Sequence, residues 1–274
     1  MTRLILTADS SSAGGVVSAG LADLAIPIEL RMVWGPSRSD AELAAFLAAR
    51  MNQPPDSHWL DSVPPWRLEK FGMNGLGLVE ACARCDTVEL WMETEPSAQL
   101  ILIWLLDYLG PRAKTLDIIL RHVDASLGGM EPKRLTGMKF RGVAINDHHI
   151  EIASLAWQAF RAPTPRAWFE LLAKDLSVLP QLRRCVLEML EELPGRITGL
   201  GTSETRILEL ISAGYEHPFD VFPHHRERFQ RRVFGYWEAG ALLEGLALAP
   251  TPAVSGLAEW PFTLEMHNDP ARLA

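Results

Sequence analysis

The chain has 274 residues, enough for one large or two ordinary domains, and its apolar content of 48% is that of a globular protein with a buried core. The formal net charge is −8, and the acidic residues are spread over both halves, which argues against a basic nucleic-acid-binding surface. No apolar run approaches the roughly 20 residues that cross a bilayer, and no signal-peptide pattern opens the chain, so we expect a cytoplasmic protein without membrane contact.

Alternating strand and helix patterns fill the first part of the chain. Residues 3–8 (RLILTA) form an apolar run that predicts a strand, and a helix over residues 13–24 follows it. Residues 28–34 (IELRMVW) predict a second strand, and the alanine-rich residues 40–51 predict a helix capped by Ser39.

The strongest pattern lies at residues 87–109, which predict a short buried strand, an acidic turn and an apolar helix. Pro96 suits the first turn of that helix, where its missing N–H is not needed. Residues 116–122 predict a fourth strand. This alternation predicts an α/β domain over residues 1–127, with a parallel, Rossmann-like sheet layered with helices.

The later part of the chain is predominantly helical in pattern. Residues 128–142 are rich in glycine, proline and lysine and predict a linker. Residues 143–274 predict a mainly helical domain, with helices over 147–160, 165–173, 179–193 and 203–212 and a small hairpin within 254–266. Because residues 199–214 open like a helix-turn-helix, we expect a winged-helix-like domain.

Several segments carry a resemblance to known families. Those in the first half are Asp9-Ser10, Trp34-Gly35-Pro36 and LWMETEPSAQLILIWLLDYL from Leu90. Those in the second half are AWQAFRAPTPRAW from Ala156, LPQLRRCVLEMLEELP from Leu179 and GLGTSETRILELISAG from Gly199. The chain resembles bacterial proteins in which domain-of-unknown-function family 1835 precedes domain-of-unknown-function family 3658. The resemblance implies the two-domain layout and no particular activity. Thr94-Glu95 stands where the first family usually has His-Asp, so no histidine chemistry carries over.

The carboxyl edge of the predicted sheet is the expected functional site, since ligands of parallel α/β sheets bind where the strands end. That edge collects Asp9, Ser10, Ser11, Trp34, Glu93, Glu95 and Gln99. The acids among them, Asp9, Glu93 and Glu95, are candidate catalytic residues or ligands of a divalent metal, because carboxylates serve as oxygen ligands and as general acids or bases. The others, Ser10, Ser11, Trp34 and Gln99, are candidate contacts to a small polar ligand.

A purely structural role is the competing interpretation of these residues. The serines can cap the following helix, and the acids favour the positive end of a helix dipole. The segment DSSSAGG at residues 9–15 matches neither the P-loop nor the dinucleotide-binding spacing, so a nucleotide is not expected.

Cysteines and histidines provide weaker candidates. Three cysteines, an odd and small number, fit a reducing compartment. Cys82 and Cys85 have C-x-x-C spacing but precede a strand, so we interpret them as structural. The pairs at residues 148–149 and 224–225 are interpreted as solvated surface histidines.

Two other function classes remain open. A regulatory or scaffold protein would use the helical domain to contact a protein partner or to form a homodimer. A DNA-binding regulator is less favoured, because the candidate third helix, residues 235–248, carries Glu238 and Glu244 and lacks the basic and amide side chains that contact DNA.

Overall fold

The chain forms a mixed α/β structure. A computed structural model describes residues 2–51, 53–55, 57–125, 127–222, 233–248 and 251–257. The chain divides into two compact units, Met1–Arg183 and Arg184–Ala274. No helix within these described ranges has the length and apolar character needed to cross a membrane.

A five-stranded, mostly parallel sheet organises the first unit. Its strands are β1 (Arg3–Thr7), β2 (Leu24–Pro27), β3 (Thr87–Met92), β4 (Ile118–His122) and β5 (Gly142–Ala144). The strand order is β2-β1-β3-β4-β5, in which the first four strands are parallel and β5 is antiparallel to β4. The predicted parallel sheet is therefore confirmed for β1 to β4.

Helices connect and cover the strands. In the first unit they are α1 (Ser10–Ser18), α2 (Asp40–Leu47), α3 (Pro65–Lys70), α4 (Leu78–Arg84), α5 (Pro96–Leu109), α6 (Pro132–Gly137), α7 (Asp147–Arg161) and α8 (Arg166–Leu172). A 3-10 helix, Gly110–Thr115, follows α5. Ser39 caps α2 through a capping box, as the sequence predicted.

The second strand was predicted in the wrong place. The structure puts β2 at Leu24–Pro27, between the predicted helix 13–24 and the predicted strand 28–34, and leaves residues 28–34 outside the sheet. Helix α1 stops at Ser18 because Gly20 adopts a positive φ of 68°, the backbone conformation that commonly terminates a helix. The ladder ends near Ile28, whose N–H donates to Thr7 O, since β1 offers no further partner beyond Thr7.

Both faces of the sheet are buried. On one face, α1 and α6 pack in a cluster that contains Ile5 of β1, Trp91 of β3 and Val123, which follows β4. Alternate strand residues such as Leu6 and Leu90 point to the other face and are fully buried as well. Helix α5 is buried at most positions, so its all-round apolar sequence places it between layers.

The predicted linker at residues 128–142 lies within the first unit. It contains α6, and it ends where β5 begins. Leu135 of α6 is fully buried in the cluster formed with α1. This segment therefore contributes to the layer that covers the sheet.

The second unit is helical in the residues that the structure describes. Its elements are α9 (Leu182–Glu191), which spans the division between the units, α10 (Thr202–Ser212), a 3-10 helix (Pro218–Val221) and α11 (Tyr236–Leu248). Its core includes Ile207 and Leu210 of α10 and Ala239 and Leu243 of α11. The basic residues 224–232 and most of the predicted hairpin lie outside the described ranges. The winged-helix-like arrangement stays a prediction.

Candidate functional site

The carboxyl ends of β1 and β3 meet where the strand order reverses. From β1 the chain passes to β2 on one side, and it later returns to β3 on the other side. Loops that leave two neighbouring strands at such a reversal diverge, and the crevice between them is where parallel α/β sheets bind ligands. Asp9 follows β1 and Glu93 follows β3, so the topology brings both acids to the same edge of the sheet.

Asp9 organises the start of α1. It is the N-cap residue, and its Oδ1 accepts a hydrogen bond from Ser12 N at 2.9 Å. The same carboxylate accepts a hydrogen bond from Ser11 Oγ at 2.5 Å, and Ser12 Oγ lies 2.6 Å from its Oδ2. The capping role considered from the sequence is thus present, and it fixes the position of the Asp9 carboxylate.

Ser12 bridges the two acids. Its side chain is buried, and its Oγ lies 2.6 Å from Asp9 Oδ2 and 2.6 Å from Glu93 Oε1. A hydroxyl carries one hydrogen, so it can donate a linear bond to one of these oxygens only. The hydroxyl therefore joins the two acids in one hydrogen-bonded cluster.

Glu93 is the buried acid of this cluster, with 6% of its surface exposed. Leu127 N–H donates to its Oε1 at 2.8 Å, and Gln99 Nε2 donates to its backbone oxygen at 2.6 Å. Burial raises the pKa of Glu93 above its ordinary value of 4.5, and the charges of Glu95 and Asp9 add to the rise. The hydrogen bonds from Ser12 and Leu127 oppose this rise without cancelling it.

The other predicted residues take different positions. Gln99 is buried and directs its amide to the Glu93 backbone, which makes it a supporting residue. Ser10 is exposed at the start of α1. Glu95 occupies the N-cap position of α5 without a side-chain cap hydrogen bond, and its charge contributes to the raised pKa of Glu93. Trp34 lines a separate cavity, formed by residues 29–38 and α7.

Three members of the cluster were missed as site residues in the sequence. Ser12 was interpreted as a capping serine only, and Leu127 and Gly128 fell at the edge of the predicted linker. A Cβ at Gly128 would lie 2.8 Å from Ser11 Oγ and 3.7 Å from Asp9 Oδ1, so this loop lies directly against the acids. The sheet topology could have predicted the position of this loop, because β4 is adjacent and parallel to β3 and ends at the same edge of the sheet.

Glu89 of β3 is a second buried acid, and its pKa is shifted in the direction opposite to that of Glu93. Glu89 of β3 accepts hydrogen bonds from Arg121, Arg3 and the Trp91 indole at 2.7–2.9 Å. Burial alone would raise the pKa of Glu89, but these bonds outweigh it and lower the pKa to about 2. No basic side chain forms such a pair with Glu93 in the described part of the chain. Glu93, directly after β3, therefore has no basic partner to compensate its charge among the described residues.

The cysteines show no sign of reactivity. Cys82 is buried, Cys85 is half-buried, and both thiols are free. Burial raises the pKa of Cys82 to about 12 and that of Cys85 to about 11, and the neighbouring Asp86 and Asp23 add to the second rise. Such thiols are poor nucleophiles at neutral pH.

The first histidine pair begins α7. His148 is exposed, with Nδ1 3.5 Å from Glu151 Oε2. His149 is buried, and its Nδ1 lies 2.7 Å from Asn146 Oδ1 at the helix cap, so the prediction that it is a surface residue was wrong. The second pair lies outside the described residues. Over the residues that the structure describes, no three His, Cys, Asp or Glu side chains are grouped closely enough to hold a metal ion.

Comparison of the chain with protein-family models, with curated proteins and with solved structures finds no match. The resemblance to the two domain-of-unknown-function families stays a prediction.

Proposed function

We propose that the first unit binds a small polar ligand in the crevice between the carboxyl ends of β1 and β3, where Asp9 and Glu93 recognise it. The observation that carries the proposal is the pair of acids held against one buried hydroxyl at the reversal of strand order. A Rossmann-like classification of the sheet belongs to the same proposal, since ligands of doubly wound sheets bind at this position.

The energetic cost of Glu93 supports a functional role. An acid with a raised pKa destabilises the folded state as the pH rises from the acid's ordinary pKa, because its ionisation becomes more favourable after unfolding. Glu89 shows how the same sheet compensates an acid when arginines are placed beside it. Acids left with perturbed pKa values in a crevice are characteristic of binding and catalytic sites.

The site chemistry favours a ligand with amine or hydroxyl groups. Carboxyl oxygens accept hydrogen bonds from both groups, and an ammonium group would offset the negative charges of Asp9, Glu93 and Glu95. A free anion would be repelled by the same charges. Ethanolamine, which carries an ammonium and a hydroxyl group, is therefore a suitable probe.

The pair could also supply acid–base chemistry. Glu93, with its raised pKa, is suited to donate a proton, and the hydrogen-bonded Asp9 carboxylate is suited to accept one. Ser12 connects the two groups through short contacts. Divalent-metal binding by Asp9, Glu93 and Glu95 is left outside the proposal, since the described residues contain no three-membered metal-binding group.

Calorimetric titration with ethanolamine tests the proposal. Wild type should release or absorb heat on binding, whereas Asp9→Asn and Glu93→Gln should weaken binding by about tenfold each, the effect of one lost charge-assisted hydrogen bond. Asn is an effective N-cap, so the first variant keeps α1 intact. Glu42→Gln is the matched control, because it removes an acid from the first turn of α2. Equal binding by all four proteins, or binding by none, would contradict the proposal.

A second candidate function is protein contact through the helical unit. A groove of about 520 Å³ is lined by residues that include Leu200 and Leu208. Ile197 is 99% exposed and Leu193 is 44% exposed nearby in sequence. Such exposed apolar side chains favour an interaction surface, as expected for a winged-helix-like module used for contact. Light scattering should then show that wild type is a dimer and that Ile197→Ser is a monomer. A monomeric wild type would contradict the formation of a homodimer.

DNA binding remains the least favoured alternative. Helix α11 carries Glu238, which is buried, and Glu244, and it contains none of the basic or amide side chains that read bases. A complex with DNA that persists at physiological salt would instead favour DNA binding over the other two functions.

A further inference from the structure

A second cavity lies on the first unit, apart from the acids. Its volume is about 700 Å³, within the range of small-molecule sites. It is lined by the loop that follows β2, residues 29–38, and by the last turns of α7. None of Asp9, Glu93 and Glu95 lines it. This cavity is therefore chemically distinct from the proposed polar-ligand crevice.

The wall of the cavity is held in place by Arg161 of α7. Its guanidinium donates to the Arg38 carbonyl oxygen at 2.5 Å and to Ser37 Oγ, and it lies 3.4 Å from Asp40 Oδ1. Ser97 Oγ of α5 donates to Leu30 O at 3.4 Å at the other end of the loop. These bonds tie the loop to two helices, so the cavity is formed before any ligand arrives.

The lining is cationic in an acidic protein. Three of the lining residues, Arg31, Arg38 and Arg161, are basic, and Glu29 is the one acidic residue among them. Asp40, outside the lining, offsets part of the charge of Arg161. The whole chain carries a formal charge of −8. Arg38 is exposed, and its guanidinium lies 5.9 Å from the centre of the Phe46 ring. An anion entering this cavity therefore meets a lining with more basic than acidic residues.

Aromatic rings form the apolar part of the lining. Trp34 is 39% exposed beside the cavity, and Trp157 and Phe160 lie on α7 with ring centres 5.4 Å apart. The Arg161 guanidinium lies 5.7 Å from the Trp157 ring centre, which places charge beside a flat apolar surface. Planar ligand groups pack well on such surfaces.

We propose that this cavity binds a small organic anion in which a phosphate or carboxylate group is attached to a flat ring. Arginine recognises both anions through paired N–H donors, and Arg38 supplies these donors at the exposed side of the cavity. The ring lies against the indole of Trp34. Arg161 holds the loop and adds its positive charge. The site is independent of the Asp9–Glu93 crevice.

Calorimetric titration of the full chain at low salt tests this site with four probes: phenyl phosphate, benzoate, benzyl alcohol and inorganic phosphate. Phenyl phosphate and benzoate should bind, and whichever binds more tightly identifies the preferred anion. Benzyl alcohol lacks the anion and inorganic phosphate lacks the ring, so each should bind about tenfold more weakly than the tighter aromatic anion. Added salt should weaken phenyl phosphate binding, because screening reduces its attraction to the arginines.

Variants locate the binding site. Arg38→Ala and Trp34→Leu should each weaken the tighter aromatic anion by about tenfold. Arg67→Ala is the matched control, since Arg67 also lies over an indole, that of Trp66 at 5.6 Å, but outside the cavity. Circular dichroism confirms that each variant is folded. The proposal is overturned if neither aromatic anion binds, if benzyl alcohol binds equally well, or if Arg67→Ala loses as much affinity as Arg38→Ala.

Discussion

Replacement of Glu93 by glutamine isolates the effect of an uncompensated buried acid. The variant keeps an oxygen that can accept the Leu127 N–H bond, and it removes the ionisable proton. It also removes the repulsion from Glu95 and Asp9 that raises the pKa of Glu93. We therefore expect Glu93→Gln to be more stable than wild type at neutral pH.

The expected size of the effect follows from proton linkage. Between pH 4.5, where Glu93 ionises in the unfolded chain, and its raised pKa in the folded protein, the folded state holds one more proton. The stabilising contribution of the protonated group is complete below pH 4.5 and is lost as the pH rises through the folded pKa. The difference in unfolding free energy between variant and wild type should grow by up to about 1.4 kcal/mol per pH unit in this window.

Urea unfolding of both proteins at half-unit pH steps from 4 to 8 measures this difference. The upper pH at which the difference stops growing gives the pKa of Glu93 in the folded protein. A difference that stays constant over the whole range, or that favours wild type increasingly as the pH rises, would refute the assignment of Glu93 as a destabilised acid.

The remaining predictions concern neighbouring groups. Glu89→Gln should lower the unfolding free energy at pH 7 by about 2 to 3 kcal/mol, since its pKa falls from 4.5 to about 2 at about 1.4 kcal/mol per unit and its arginine partners are partly exposed. This loss should fade as the pH falls from 4.5 towards 2, and a constant loss would contradict the ion-pair origin. Gly128→Ala should displace Ser11, lower stability by about 1 kcal/mol and weaken ethanolamine binding in calorimetry; unchanged values would contradict the close approach. Burial, with the charges of His122 and His148, lowers the pKa of His149, so the stabilising contribution of the neutral imidazole should be lost as the pH drops below 6.5. The unfolding free energy of wild type relative to His149→Gln should therefore fall over this range in the same urea titration. A difference in unfolding free energy between the two proteins that does not change with pH would contradict this role of His149.

The sequence was most informative where local pattern and topology agree. Residues 88–92 and the helix from Pro96 were predicted because an apolar run, an acidic turn and a proline at the first helical turn specify these elements locally. The approach of Asp9 to Glu93 followed from the parallel arrangement of β1 and β3. Parallel strands end at a common edge, so the sequence alone could place these distant residues together.

The sequence-based predictions failed where the local structure depends on contacts with residues elsewhere in the chain. The apolar residues 28–34 have a strand-like composition, but β1 ends at Thr7 and leaves them without a neighbour to pair with. Gln99 was expected to face a ligand, yet its amide bonds to the Glu93 backbone, because side-chain direction depends on the packed turn. The Ser12 bridge and the Leu127 bond link residues 81 and 34 positions apart from Glu93, which no local pattern encodes.

The central claim is that Asp9 and Glu93 together bind a polar ligand, and carboxyl carbon NMR of the Glu93 side chain during ethanolamine titration tests it most directly. In wild type, the Glu93 signal should move towards its ionised position as the ammonium group binds, because a nearby positive charge favours the carboxylate. The same titration of Asp9→Asn should require about tenfold more ethanolamine. A Glu93 signal that does not respond to ethanolamine in wild type would contradict the account.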